Sequence, residues 1–248
     1  MRAILLALLM LIVVVKIICQ DNSQESFIIC PRQNLNFNEC MQRNLEIALR
    51  KWRNGNAALN IIPMDPMFIE SFYVDEVDGN GIRQIYKNIS VTGLIDNITI
   101  SNLKFDFNNL TLSLNVFAPK LIFASDYVLK GKMYSVPIHG DGKCQIILKN
   151  IMTKHLVRAN MIDINNREHL KIHEWQVSLE PEDVKINFSN LYNGNWFLSA
   201  PAYWVIEHYP FQLFEELQKP FIQFFSVIFT NISNSALKIV PFDTILSG

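Results

Sequence analysis

Catalytic signatures are missing from this chain. It has no Gly-x-Ser-x-Gly elbow, no His-Glu-x-x-His, no Cys-x-x-Cys and no glycine-rich loop opening a helix, the spacings that mark serine hydrolases, zinc peptidases, dithiol redox proteins and nucleotide binders. An excess of charge of one sign is missing too: 22 Lys and Arg stand against 23 Asp and Glu. Without a basic stripe, neither nucleic acid nor an anionic membrane surface is an expected partner. No linker rich in Pro, Gly or Ser, no low-complexity segment and no clear repeat divides the 248 residues. The histidines do not form a metal site. His169 and His173 have a zinc spacing only on a helix; here they alternate with Leu170 and Ile172. On a strand they stand ~13 Å apart, on a solvated face. His139, His155 and His208 are scattered. Gly140-Asp141-Gly142 reads as a tight turn or bulge, and Glu180-Pro181-Glu182-Asp183 as an exposed turn. No metal, cofactor or catalytic residue is expected, and the protein is not expected to be an enzyme.

Long apolar runs are confined to the start. Arg2 precedes 13 apolar residues, 3–15, and Lys16 follows. That run is too short for a bilayer core of ~30 Å, which takes about 20 residues. It reads as a secretory signal peptide spanning 1–19, with cleavage after Cys19; a signal anchor is the alternative. The mature chain, 20–248, is then one secreted, extracellular domain with no stable membrane insertion. Its charge, without Arg2 and Lys16, is 20 basic against 23 acidic residues. Cys30 and Cys40, ten apart, form the natural disulfide in an oxidising compartment, tying the mature N-terminus to the first helix. Cys144 is left as a buried, inert thiol. Five Asn-x-Ser/Thr sequons occur, at Asn88, Asn97, Asn109, Asn187 and Asn231. In the first four, Asn and hydroxyl residue flank one apolar residue, so on a strand both point to the wet face, and glycosylation is compatible with folding.

What the sequence does have is alternation. Through 89–148, apolar and polar residues exchange strand after strand: Ile98, Ile100, Leu103, Phe105 and Phe107 against Thr99, Asn102, Lys104 and Asp106, then Leu110, Leu112, Leu114 and Val116 against Thr111, Ser113 and Asn115. Side chains on a strand point to opposite faces with period two, so one face is a wall of Leu, Ile and Phe. Breaks are expected at Asn108-Asn109, Ala118-Pro119, Lys130-Gly131 and Gly140–Gly142, and before the block at 78–81. Shorter runs continue through 146–157, 161–164, 170–179 and 184–188. Before the strands, Asn38 is placed to cap a helix whose face is Met41, Leu45, Leu49 and Trp52, ended by Asn54-Gly55. Pro63 and Pro66 enforce an extended crossing segment. After the strands, apolar residues recur at threes and fours over 201–232, about 45 Å of helix, which Pro210 and Pro220 kink or segment. The tail, 239–242, looks extended. The plan is α+β: a short N-terminal helix, then a strongly curved antiparallel sheet rolled around a long, mostly buried C-terminal helix.

A set of ordered motifs adds to this. Cys30 and Cys40 precede the first helix. Ile62-Pro63-Met64-Asp65-Pro66-Met67, Val91-x-Gly93-Leu94 and Ala118-Pro119-Lys120-Leu121 follow. Then come Tyr127-x-x-x-Gly131-Lys132, Pro137-Ile138-x-Gly140-x-Gly142, Phe188-x-Asn190-Leu191-Tyr192-x-Gly194 and Pro241-Phe242-Asp243. Together they resemble the insect takeout and juvenile-hormone-binding protein family over nearly all of the mature chain. The resemblance implies a super-roll, TULIP-like fold and a secreted, non-catalytic carrier; a monomer is expected. Its ligand is a small hydrophobic molecule such as a terpenoid or fatty acyl compound, held in an internal tunnel. Cys144 lacks the partner for the second disulfide of some hormone-binding members. From the wall and the helix, Leu112, Leu114, Val116, Phe123, Phe214, Phe221 and Phe225 are the candidate lining, with plain core packing the favoured alternative for any one of them. Two other readings stay open. One is a glycosylated signalling or interaction protein with a closed core and an exposed apolar patch. The other is a secreted hydrolase, which needs a nucleophile and a His within hydrogen-bond reach.

Overall fold

The computed structural model describes Cys30, Pro31, Gln33 and residues 35–74, 82–133 and 136–246; the leader, Cys19 and the turn expected at 78–81 lie outside the described residues. Helix α1, Phe37–Lys51, lays Met41, Leu45 and Leu49 on Ile100, Leu103 and Leu114, the face its spacing predicts. Its N-terminus differs from expectation. Asn36 occupies the cap position without a side-chain capping bond to the helix, and Asn38 Oδ1 instead accepts from the Phe105 N–H at 3.1 Å. The side chain is spent on holding the helix to the sheet. The Cys30–Cys40 disulfide is formed, with Cα atoms 5.7 Å apart.

The crossing segment that follows is pinned by one buried carboxylate. Asp65 is 3% exposed and precedes a cis proline, Pro66. Its two oxygens accept from the N–H groups of Gly93 and Ile95, at 3.0 Å each, and of Asp96, at 3.3 Å. Three charge-assisted bonds compensate the burial of the charge. Gly93 is required there: φ is +88°, and a Cβ would meet the Lys120 carbonyl oxygen at 1.9 Å.

Six strands form one antiparallel sheet: β1 Met67–Val74, β2 Ile82–Thr92, β3 Thr99–Asp106, β4 Thr111–Met133, β5 Val136–Ile164 and β6 Arg167–Phe188. The order is β1-β2-β4-β5-β6, with β3 paired to the first part of β4 beside β2. The last three strands run far longer than the sequence pattern indicates. The breaks expected at Ala118-Pro119, Lys130-Gly131 and Gly140–Gly142 all lie inside strands, and 146–157 and 161–164 belong to one strand, as do 170–179 and 184–188. Only Asn108-Asn109 is a turn as expected. The segment Glu180–Asp183 is not a turn either; Pro181 faces Ile151 across the ladder. It is tolerated because β6 is an edge strand and proline costs no ladder bond on the free side.

These misread positions share a cause. Along β4 the inward set changes from even to odd numbers between Ala118 and Leu121; along β5, from even to odd between Leu148 and Ile151; along β6, from odd to even between Leu179 and Val184. Ala118, Ile151 and Pro181 are neighbours, so the slip occurs at one level on three strands. Asn150 takes φ +47° there. The residues turned outward join across the ladder: Lys149 to Asp183 at 2.7 Å and Asn150 to Glu182 at 2.8 Å. The sheet bends at this level and divides its inner face into two halves.

Gly140 and Gly142 have another use. Added Cβ atoms would lie 3.1 Å from Leu191 Cα and 2.6 Å from Ser189 Oγ. The glycines admit segment 189–191 over the strand, where Leu191 bridges Gly140 and the Tyr127 hydroxyl donates to the Ser189 carbonyl.

The closing helix is two helices. Helix α2, Trp196–His208, starts at Asn195, whose side chain accepts from the N–H groups of Phe197 and Leu198; Pro201 lies in its first turns. Tyr209 leaves helical geometry at φ −130°, ψ 46°, as a residue before proline tends to. Pro210 then opens α3, Pro210–Leu237, which continues through Pro220. The tail expected to be extended, 239–242, instead turns back on the end of α3, with the Ile239 and Val240 N–H groups donating to the Ala236 carbonyl, and leads into a short helix, α4, Phe242–Leu246. Helix α3 is latched to β6. Asn234 Oδ1 accepts from the Ile172 N–H at 2.8 Å, and its Nδ2 donates to the Ile172 carbonyl at 2.9 Å. His169 Nδ1 donates to the Leu237 carbonyl at 2.9 Å. His169 is therefore buried, contrary to the solvated face expected for it, because α3 covers its side of the strand; His173 is exposed. No helix among the described residues is long and apolar enough to cross a membrane.

Candidate functional site

The inner face of the sheet meets its covers unequally. On one side of the bend the core is closed. Leu213, Phe214, Leu217 and Phe221 of α3 are buried, and the Phe221 ring lies 5.1–5.2 Å from those of Phe72, Tyr86 and Phe123. Phe224 stacks on Phe72 at 4.2 Å. On the other side α1 packs over β3 and α3 over β6, with no extensive packing of these two helices on each other among the described residues. Here inward apolar side chains keep part of their surface uncovered: Leu112 and Val116 of β4, Trp175 of β6, Phe225, Phe229 and Ile232 of α3, and Leu45 and Leu49 of α1. Trp175 and Phe229 rings are 5.7 Å apart.

The seven residues chosen from sequence are split by this geometry. Phe123, Phe214 and Phe221 sit in the closed core, and Phe225 joins its edge, half-buried. Leu114 is buried under α1, with Leu112 and Val116 half-buried beside it.

A polar chain crosses the half-covered side. Trp175 Nε1–H donates to His155 Nδ1 at 3.2 Å. Since indole only donates, Nδ1 is bare and the neutral ring carries its proton on Nε2, which donates to Thr153 Oγ1 at 2.8 Å. The Thr153 hydroxyl donates to the Val116 carbonyl at 3.2 Å. Burial lowers the His155 pKa from 6.5 to about 4, because the charged ring is desolvated. Thr153 and His155 are thus a hydroxyl and an imidazole in contact, the pairing a hydrolase needs. The tautomer is wrong for that work: Nε2 gives its proton to the hydroxyl and has no lone pair to receive one. Sequence reasoning missed this chain. Thr153 and His155 share a face with Ile151 and Val157, a visible signal, but the slip at Asn150 makes 152, 154 and 156 look inward when counted from Leu148.

Elsewhere in the interior, Cys144 is free and buried, its thiol pushed up to about 12 by burial, which makes it unreactive. The Ser125 hydroxyl, on the opposite residue of β4, is buried without a hydrogen-bond partner. The outer face is polar. A groove of about 710 Å³ there is lined by Lys104, Asp106, Asn109, Ser113, Arg158 and His173. All five sequon asparagines are exposed: Asn187 on β6, Asn88 on β2, Asn231 on α3, and Asn97 and Asn109 in turns. Helix α2 exposes large aromatics, Trp196 at 75%, Phe197 at 72% and Trp204 at 51%.

A family model described as Haemolymph juvenile hormone binding protein (JHBP) matches residues 6–247. The crystal structure of Epiphyas postvittana Takeout 1 is similar with a TM-score of 0.73 and 24% sequence identity, over 86% of this chain and 97% of that one; the likeness is one of fold. Lipopolysaccharide binding protein is matched at a TM-score of 0.35 and 13% identity, over 83% of this chain and 38% of that one, and carries no argument. No curated protein matches. With a family model spanning almost its whole length, a curved antiparallel sheet closed by C-terminal helices and a fold shared with a takeout protein, the chain belongs to the haemolymph juvenile hormone binding protein family.

Proposed function

We propose that this protein is a secreted carrier of a small hydrophobic ligand, held between the sheet and its two covering helices. The observation that carries the reading is the half-covered apolar stretch beyond the bend, where Leu112, Val116, Trp175 and Phe229 face inward without being sealed, with Phe225 and Ile232 at its border with the closed core. Ligand sites are concave and mostly apolar, with few polar groups. The family's name supports a hormone-like cargo, a terpenoid or fatty acyl compound, in an internal tunnel. Residues 1–19 act as the leader, 20–248 as one monomeric domain, and the exposed sequons as glycosylation sites. The protein acts as a binder and not as an enzyme: the Thr153–His155 contact, a hydroxyl against an imidazole, has the tautomer unsuited to a base.

The test is extraction of secreted protein with mass spectrometry of what it releases, together with titration of a fluorescent apolar probe. A copurifying lipid or a displaceable probe is expected. Recovery of no lipid and failure to bind the probe would sink the proposal. A second reading, an interaction protein, is favoured by the exposed aromatics of α2, which an apolar contact surface requires. It predicts concentration-dependent association that Trp196→Ser with Trp204→Ser abolishes, measured by sedimentation.

A further inference from the structure

We propose that Thr153, positioned by His155 and Trp175, is the hydrogen-bond anchor for a hydroxyl group on the ligand, so that the cargo is a long-chain or terpenoid alcohol and not its ester, ether or carboxylate. This rests on the carrier reading above and narrows its cargo to the alcohols, setting aside the fatty acyl compounds.

The argument is one of valence. The Trp175 indole proton goes to His155 Nδ1, the Nε2 proton to Thr153 Oγ1, and the Thr153 hydroxyl proton to the Val116 carbonyl. Every hydrogen in the chain is committed. One lone pair remains, on Thr153 Oγ1, and it can only accept. An incoming alcohol supplies the donor. An ester, ketone, ether or epoxide oxygen has only lone pairs and finds no donor, so its burial is uncompensated. A carboxylate meets neither donor nor cation. The nearest basic residues along the strand, Lys154 and Arg158, are engaged with Glu180 and Glu174.

The anchor is reachable. Thr153, His155 and Trp175 each keep part of their surface uncovered; the first two stand on β5 and the third beside them on β6, on the inner face that α1 and α3 cover from different strands. The polarity of the chain is fixed at neutral pH, since burial keeps the ring uncharged. Sites built to bond a substrate hydroxyl discriminate strongly against analogues that lack it.

The experiment is displacement of N-phenyl-1-naphthylamine from purified protein at pH 7.5 by 1-hexadecanol, by its methyl ether and by hexadecanoate. Wild type is expected to bind the alcohol about tenfold or more tighter than the ether, about 1.4 kcal/mol, and hexadecanoate more weakly than the alcohol. Thr153→Val, close in shape, is expected to lose the preference, because it removes the acceptor and frees the His155 Nε2–H to meet an ether oxygen, and Thr153→Ser is expected to keep it. Equal binding of alcohol and ether by wild type overturns the anchor while leaving the carrier reading intact, as does a preference that survives in Thr153→Val. Failure of the probe and of all three ligands to bind overturns both. The comparison within wild type stands alone if a variant does not fold.

Discussion

Mild acid should weaken this fold at His155 before it reaches the carboxylates. The ring accepts one bond and donates another inside an apolar face, and a second proton on Nδ1 would point at the Trp175 N–H. Burial accordingly lowers its pKa from 6.5 to about 4. Above pH 6.5 the ring is neutral whether the chain is folded or not, and the contribution is complete. As the pH falls below 6.5 the unfolded chain takes up a proton that the folded chain refuses, and stability declines until the folded ring titrates near 4. At about 1.4 kcal/mol per unit, the loss across that window is about 3 kcal/mol, a large part of the 5–15 kcal/mol typical of a domain. The surface carboxylates act in a lower window. Lys143 holds Asp126, Lys149 holds Asp183, Arg158 holds Glu174, and the Asn108 N–H holds Asp106 below the usual carboxylate range, so what they contribute is lost only as the pH drops through those lowered values. The assay is urea unfolding followed by tryptophan fluorescence at pH 7.5, 6.5, 5.5 and 4.5, for wild type and His155→Gln. Glutamine can accept from Trp175 and donate to Thr153 without titrating. The difference in stability between the two proteins should shift by about 3 kcal/mol from pH 7.5 to 4.5, in the direction that favours the variant in acid. Parallel curves would refute the assignment of a buried, neutral His155.

Other substitutions probe the frame. Asp65→Ala leaves three inward N–H groups without their acceptor and should cost about 3 kcal/mol or more, read as a fall in the urea midpoint; a change under about 1 kcal/mol would contradict the role given to the carboxylate. Gly142→Ala forces segment 189–191 away from β5, since Ser189 Oγ lies 2.6 Å from the new Cβ; a loss of about 1–3 kcal/mol is expected in thermal melts, and an unchanged melting temperature would deny the close crossing. Ser125→Ala removes a buried hydroxyl that has no partner and should raise stability by about 1 kcal/mol; a decrease would mean that the hydroxyl is bonded in solution.

How far the sequence could be read depends on whether period and face stay constant. Where they do, the reading holds: Met41, Leu45 and Leu49 line one helical face and meet the sheet, and the aromatic positions of α3 reach the core. The bend is where it fails. Three strands each turn two neighbouring residues outward at one level, and a rule of two loses its phase there. Pro119, Pro181 and Gly140 then look like chain breaks, although the first lies at the bend, the second on a free edge and the third under a crossing segment. The core positions Phe214 and Phe221 of α3 are legible because Phe spacing survives Pro220. The Thr153–His155–Trp175 chain is not, because it combines β5, shifted in phase, with β6, and only pairing of the two long strands brings the indole to the ring.

The latch between α3 and β6 has a consequence beyond holding a helix. β6 ends the sheet, and an unpaired edge offers its peptide groups to any extended chain, including another copy of itself. Asn234 presents to Ile172 the carboxamide equivalent of one peptide unit, donor and acceptor side by side. A single side chain thus occupies a rung of the ladder where a seventh strand would begin. Loss of that amide should register first as self-association and poor recovery at high concentration, through the rung at Ile172 that the amide otherwise occupies.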